Sequence, residues 1–270
     1  MLEFKSYFRV STFFLNFNSE ILYVVKMENG FPVIVKKFHC ITGKRPGDKL
    51  GEGDLRTPEG IYFPMYWREN LPPIYGLGAF PLNYPNLLDR KILKRDGHGI
   101  WIHGTNNPHR PPHSSNGCIV LKNPDLRVLK NLISTKRTPV VIVSELSFSS
   151  KEEFINEKKD LINFILKWKK AWENSPKDIA TYLSLYDERF VWKRGDINSW
   201  ISYKKRITKR KKWIKIDISD LTITKDELGN LYVARMILRY KSNNYHSTTN
   251  KVLYIYKKGK QWKILGEENL

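Results

Sequence analysis

The pattern of the sequence changes once, at residues 147–150, and that change sets the outline of the fold. Before it, Gly and Pro punctuate residues 42–85, and apolar residues come in short alternating runs at 21–26 and 31–40 around a Glu28-Asn29-Gly30 turn. A further short strand is expected at 60–63, a helix from Asn123-Pro124-Asp125 to about residue 132, and a closing core strand at 139–144. After the change the period becomes helical. Ser150 stands three residues before Glu153 as a capping box, and Phe154, Leu161, Ile165, Trp168 and Trp172 then recur on one face. Ser175-Pro176 is expected to cap a second helix carrying Ile179, Leu183 and Tyr186, and a third is expected at 197–212. Only strands follow, at 214–218, 221–224, 231–240, 248–256 and 262–265. At 270 residues there is enough chain for two cores. The expectation is an N-terminal segment at 1–19, a β-rich unit at 20–146 and an α+β unit at 151–270.

Within the first unit, residues 100–121 (IWIHGTNNPHRPPHSSNGCIVL) place a His-Gly pair fifteen positions ahead of a Gly-Cys pair. A β-rich run delivers His103 to a loop of Asn, Pro and Ser, which returns to Cys118 just before another apolar run. Two strand ends joined in this way can bring imidazole and thiol together. A free thiol is only a few per cent ionised near pH 7, and a neighbouring imidazole can take its proton and return it to a leaving amine. Gly117 has no Cβ, so backbone N–H groups around Cys118 can approach a developing oxyanion. On spacing alone, a buried core thiol and an ordinary loop histidine are the commoner case.

The run resembles the active-site signature of the L,D-transpeptidase catalytic domain (YkuD) family. Ile102-His103-Gly104-Thr105 matches its first half and Ser115-Asn116-Gly117-Cys118-Ile119 its second, with Thr42-Gly43-Lys44 and Thr57-Pro58-Glu59-Gly60 upstream in the family's order. The resemblance implies a mixed β-sandwich, with Cys118 as nucleophile, His103 as base and the Gly104 carbonyl orienting the imidazole. It also implies that Ser115, Asn116 and Gly117 line the substrate site, and that no metal or organic cofactor is needed. Asn116 and Val120 depart from the His and the Arg or Asn that many members carry there. With Tyr84-Pro85-Asn86 and residues 99–104, these departures are closest to a subgroup of cell-shape enzymes in curved and helical Gram-negative bacteria, whose chemistry leans toward L,D-carboxypeptidase trimming. The implied partner is the peptidoglycan stem peptide, and the implied location is the periplasm or cell envelope. The second unit, with Trp168-x-x-Ala171-Trp172 and a terminal Trp262-Lys263-Ile264, resembles the nuclear-transport-factor-2-like (NTF2-like) fold. His246 is its one histidine, so a second catalytic centre is not expected there.

The net charge of +20 fits anionic partners, among them wall polymers, nucleic acid and lipid. It is concentrated at residues 204–213 (KKRITKRKKW), flanked by Trp200 and Tyr203. That run is the basis of an alternative reading, a non-catalytic module binding wall polymer or nucleic acid. Zinc-ligand spacing, a phosphate-binding Gly loop and a helix-turn-helix pattern are all missing from the sequence, so no nucleic-acid partner is expected. The two cysteines imply no disulfide framework, and Cys40 reads as a core residue. No apolar stretch is long enough to span a membrane. Residues 10–17 show no small-residue cleavage site, so the chain is expected to start as a mature or truncated form or from a mis-assigned initiator. Oligomeric state is left open.

Overall fold

The computed structural model describes residues 12–145, 150–226 and 231–270. They form two compact units, one within Phe8–Ser147 and one within Phe148–Leu270. Most of the change of pattern at 147–150 lies outside the described residues, as do residues 1–11.

The first unit is a sandwich of two sheets. One contains β1 (Thr12–Asn16), β2 (Ile21–Glu28), β3 (Phe31–His39), β4 (Gly60–Tyr62) and β8 (Val140–Val143), in the order β3-β2-β1-β8-β4. The other contains β5 (Ala79–Pro81), β6 (Trp101–His103) and β7 (Ile119–Val120), in that order. Alternation decides what lies between them. Phe13, Leu15, Leu22, Val24, Val140 and Ile142 from the first sheet meet Phe80, Ile102 and Ile119 from the second in one core. Burial of each such side chain stabilises by roughly 1.5–3 kcal/mol.

Residues 12–16 fall outside the β-rich unit as the sequence delimits it, yet they form β1, which lies inside the sheet, antiparallel to β2 and parallel to β8. The reason is burial. Phe13 and Leu15 are fully enclosed, and among the described residues no other strand lies between β2 and β8. Two short helices, α1 (Leu87–Lys91) and α2 (Asn123–Lys130), flank the sandwich. Arg95 is buried and bonds Asp89 (3.1 Å), the Glu59 carbonyl (3.0 Å) and Asp48, which fastens the long 48–59 connection to the α1 region.

The second unit lays α3 (Lys151–Asn174), α4 (Ile179–Leu183) and α5 (Ile197–Thr208) on a six-stranded sheet. The strands are β9 (Tyr186–Trp192), β10 (Gly195–Asp196), β11 (Ile214–Asp226), β12 (Leu231–Ser242), β13 (Tyr245–Lys258) and β14 (Gln261–Asn269), in the order β10-β9-β14-β13-β12-β11. The Ser150–Glu153 capping box opens α3 as expected. Two differences from the sequence reading have local causes. Asp178, not Ser175, caps α4, and Tyr186 opens β9, where its hydroxyl joins Trp168 Nε1 (3.0 Å), Tyr182 (2.6 Å) and Glu267 (3.2 Å). The two strands expected at 214–218 and 221–224 are one, kinked by a bulge at residues 219–222 with Asp220 at φ 53°.

Candidate active site

The site is set by the register of β6 and β7. They run parallel with Ile102 opposite Ile119 and His103 opposite Val120. Ile102 and Ile119 point into the core, so Trp101, His103 and Val120 share the other face. Cys118 stands immediately before β7, one register step back, which puts it across from Trp101 and on the same face as His103. Diagonal neighbours of this kind lie within side-chain reach.

His103 is 3% exposed. Its Nδ1 stands 2.6 Å from the Gly104 carbonyl oxygen, so Nδ1 carries the proton and Nε2 the free lone pair. Tyr75, in a short 3₁₀ turn at Pro73–Tyr75, packs its ring edge-on to the imidazole and near Trp101, with both centroid distances 5.0 Å. Burial lowers the His103 pKa to about 4. Burial also pushes the half-buried Cys118 thiol up, against the pull of the Trp101 backbone and of Arg110 and Lys49. The thiol donates to the Gly99 carbonyl at 3.3 Å. Burial thus favours the neutral form of both groups.

The loop from Gly104 to Gly117 is pinned from below. Thr57 Oγ1 accepts from Gly43 N–H (3.0 Å) and donates to the Gly117 carbonyl (3.1 Å). Gly117 has φ 118°, and a Cβ there would stand 2.6 Å from the Arg56 carbonyl, so only glycine fits. A Cβ on Gly104 would meet Asn123 Oδ1 at 2.3 Å, which keeps the imidazole's carbonyl partner close against α2. Glu20 Oε1 accepts from Thr42 N–H (2.6 Å), Thr42 Oγ1 (2.9 Å) and His113 N–H (3.0 Å), tying the β1–β2 turn to both ends of this arrangement.

Of the residues expected from the sequence, the structure places His103 and Gly104 at the end of β6 and Gly117 and Cys118 just before the paired β7, with the Cys118 thiol turned to the Gly99 carbonyl. It gives Ser115 a different part. Ser115 is 1% exposed, and its hydroxyl donates to the Cys118 carbonyl (2.7 Å) and accepts from Gly117 N–H (3.0 Å). Its hydroxyl is spent inside the loop, where it holds the backbone on either side of Cys118. The same bond occupies the Gly117 N–H. Asn116 is exposed. Cys40 is buried in the core with its pKa raised by burial, and both cysteines are free.

Sequence reasoning missed Tyr75 and Arg110. Nothing in Pro72-Pro73-Ile74-Tyr75-Gly76 signals contact with a strand that follows 26 positions later. Arg110 had a signal, being the one basic side chain other than histidine between Gly104 and Gly117. It is half-buried and held by Ser114 (Nε to Oγ 3.3 Å).

In the second unit the basic run is largely a solvated face, with Lys205, Arg206, Lys209, Arg210 and Lys212 exposed and the flanking Trp200 and Tyr203 turned inward. Trp200 and Lys204 are each 4% exposed, and Lys204 Nζ lies 4.1 Å from the Trp172 ring centre and 4.4 Å from that of Trp200. Tyr203 packs on Trp192, 5.1 Å between ring centres. These aromatics are committed to the core.

A strand-borne imidazole held by the next carbonyl, and a cysteine immediately before the paired parallel strand, are the groups that thiol acyl transfer uses, here on a β-sandwich. Residues 15–142 match the L,D-transpeptidase catalytic domain family (YkuD), and residues 160–268 match the Cds6 C-terminal NTF2-like domain. The chain belongs to the L,D-transpeptidase family, as a two-domain enzyme of that type, and the family acts on peptidoglycan stem peptides. Two solved structures share the architecture over nearly the whole chain. The helical cell shape determining protein Pgp2 from Campylobacter jejuni is 34% identical, with 97% of this chain and 93% of that one covered at a TM-score of 0.79. Bd1075 from Bdellovibrio bacteriovorus is 30% identical, with 97% and 92% covered at 0.78. No curated protein matches the chain.

Proposed function

We propose that the protein is a periplasmic L,D-carboxypeptidase that trims stem tetrapeptides of peptidoglycan and so acts in cell shape. The observation that carries this is the parallel pairing of β6, which ends in His103, with β7, which Cys118 immediately precedes, and the bond that commits Nδ1 of His103 to Gly104. His103 Nε2 takes the thiol proton as Sγ attacks the carbonyl of the L-centre of the diamino acid. The C–N bond to D-alanine breaks, and the imidazolium protonates the departing amine. Water, deprotonated by His103, then attacks the thioester and releases the tripeptide and the thiol. With the Gly117 N–H taken by Ser115, the N–H of Cys118 itself is the oxyanion donor.

Trimming is favoured over cross-linking by Asn116 and Val120, which stand where relatives place His and Arg or Asn. An acceptor amine without positioning contacts loses the advantage of proximity to water, an effect worth several kcal/mol. The relationship to a helical cell shape determinant supports the role in shape. Incubation with disaccharide tetrapeptide, read by mass spectrometry, is expected to give tripeptide and free D-alanine. Faster formation of 3-3 linked dimers or of D-amino-acid exchange products would make the protein a transpeptidase. No product at all, with binding to sacculi retained, would favour a non-catalytic wall-binding module.

A further inference from the structure

A cavity of about 290 Å³ opens beside the catalytic loop, and neither Cys118 nor His103 lines it. Its walls come from Phe17 at the end of β1, from Thr42, Lys44 and Arg45, from Thr57, and from His113 in the loop itself. The two cations, Lys44 and Arg45, are exposed and make no ion pair with any described residue. Glu20 is turned away to the Thr42 amide and hydroxyl and the His113 amide, which share one of its oxygens. His113 is held at φ 46° by that last bond, with its ring Nδ1 3.3 Å from both Glu20 and Thr42 Oγ1. The mouth of the cavity is thus cationic, over an apolar wall at Phe17.

This cavity is rigidly linked to the nucleophile. Lys44 N–H donates to the Ser115 carbonyl (3.0 Å), and Ser115 in turn holds the Cys118 carbonyl (2.7 Å). On the other side, Thr57 joins Gly43 to Gly117. A group seated in the cavity therefore sits at a fixed offset from Sγ, which is what a substrate-positioning subsite requires. A stem peptide carries carboxylates away from its scissile bond, and a carboxylate is the ligand that two unpaired cations at the edge of an amino-acid-sized pocket recognise.

We propose that the cavity bounded by Phe17, Lys44, Arg45 and His113 is a subsite for a carboxylate-bearing residue of the stem peptide. Lys44 and Arg45 bind its carboxylate, and its aliphatic part lies against Phe17. The assignment rests on the stem-peptide reading above and adds to it the group that fixes the substrate relative to Cys118.

The test uses the full chain with Lys44→Gln and Arg45→Gln combined, both exposed positions that leave the fold intact. Two substrates are compared, disaccharide tetrapeptide and the same molecule with its side carboxylates amidated. For the free-acid substrate the double variant is expected to raise KM by about tenfold, with kcat within twofold. For the amidated substrate the parent is expected already to show the raised KM, and the variant to add nothing. A KM that ignores both changes, or a variant effect of equal size on both substrates, overturns the subsite. Calorimetry of tetrapeptide binding to Cys118→Ala separates this from the catalytic reading. Binding that depends on Lys44 and Arg45 without turnover by the parent would uphold the subsite and refute the carboxypeptidase. Turnover indifferent to the two cations would do the reverse.

Discussion

The Nδ1 of His103 lies 2.6 Å from the carbonyl oxygen of Gly104, the next residue in the chain. That bond fixes the tautomer and leaves Nε2 as the base. His103→Gln is therefore expected to lower kcat/KM by at least about a hundredfold, through loss of general base and acid. Cys118→Ala removes the nucleophile and little volume, and is expected to abolish turnover with an unchanged thermal transition. Cys40→Ser is expected to keep turnover and lose some stability. Near-normal activity in the Cys118 variant would refute the site.

Burial lowers the His103 pKa to about 4, below the ~6.5 of an exposed imidazole. The acid limb of kcat/KM is expected near pH 4. The same shift bears on stability. Between pH 6.5 and 4 the unfolded chain holds a proton that the folded one does not, so the contribution is complete above 6.5 and lost as pH falls toward 4. It amounts to on the order of 3 kcal/mol. His103→Gln lacks it, so the parent should lose stability relative to the variant on acidification. A difference that stays flat from pH 7 to 4 in urea titrations would show that the imidazole is not buried neutral.

Arg110 and Lys49 both pull the Cys118 thiol down against its burial. Lys49 is bound to Asp54 (2.6 Å) and the Gly51 carbonyl (2.9 Å), so Arg110 is the charge that can be removed without breaking a buried pair. Arg110→Gln is expected to slow alkylation of Cys118 by iodoacetamide at pH 7 several-fold, and Arg110→Lys to restore most of the rate. An unchanged rate in the Gln variant would remove Arg110 from the site's electrostatics.

Lys204 sits in the aromatic cage of Trp172 and Trp200 with its pKa lowered by burial to about 7. From pH 7 to about 10 the unfolded chain carries the proton and the folded one does not, so this group makes folding more favourable as pH rises through that window. Lys204→Met keeps the volume and drops the titration. The variant should hold its greatest advantage over the parent below pH 7 and lose it toward pH 10, as measured by denaturant unfolding at pH 6 and 9.5. A difference independent of pH would mean that Lys204 keeps its charge in the cage.

Much of the site was readable in the sequence, because its groups lie at strand ends with a fixed loop between them. His103, Gly104, Gly117 and Cys118 are neighbours in the chain or joined by one excursion, and the residue types that such chemistry needs are few. The β and helical periods likewise gave most elements, since burial imposes period 2 on a strand and about 3.6 on a helix. What failed depended on partners far away in sequence. Thr12–Asn16 reads as an apolar scrap until β2 and β8 leave a slot that Phe13 and Leu15 fill. Ser115 reads as a substrate contact until its hydroxyl is seen to close on Cys118 and Gly117.

The sequence by itself determined the family signature and the order of the two units, because motif and periodicity are local properties of the chain. Only the tertiary structure decided the burial of His103 in its neutral form, the role of Ser115 and the burial of Lys204. Those follow from which surfaces exclude water, and that is set by long-range packing that no local pattern records.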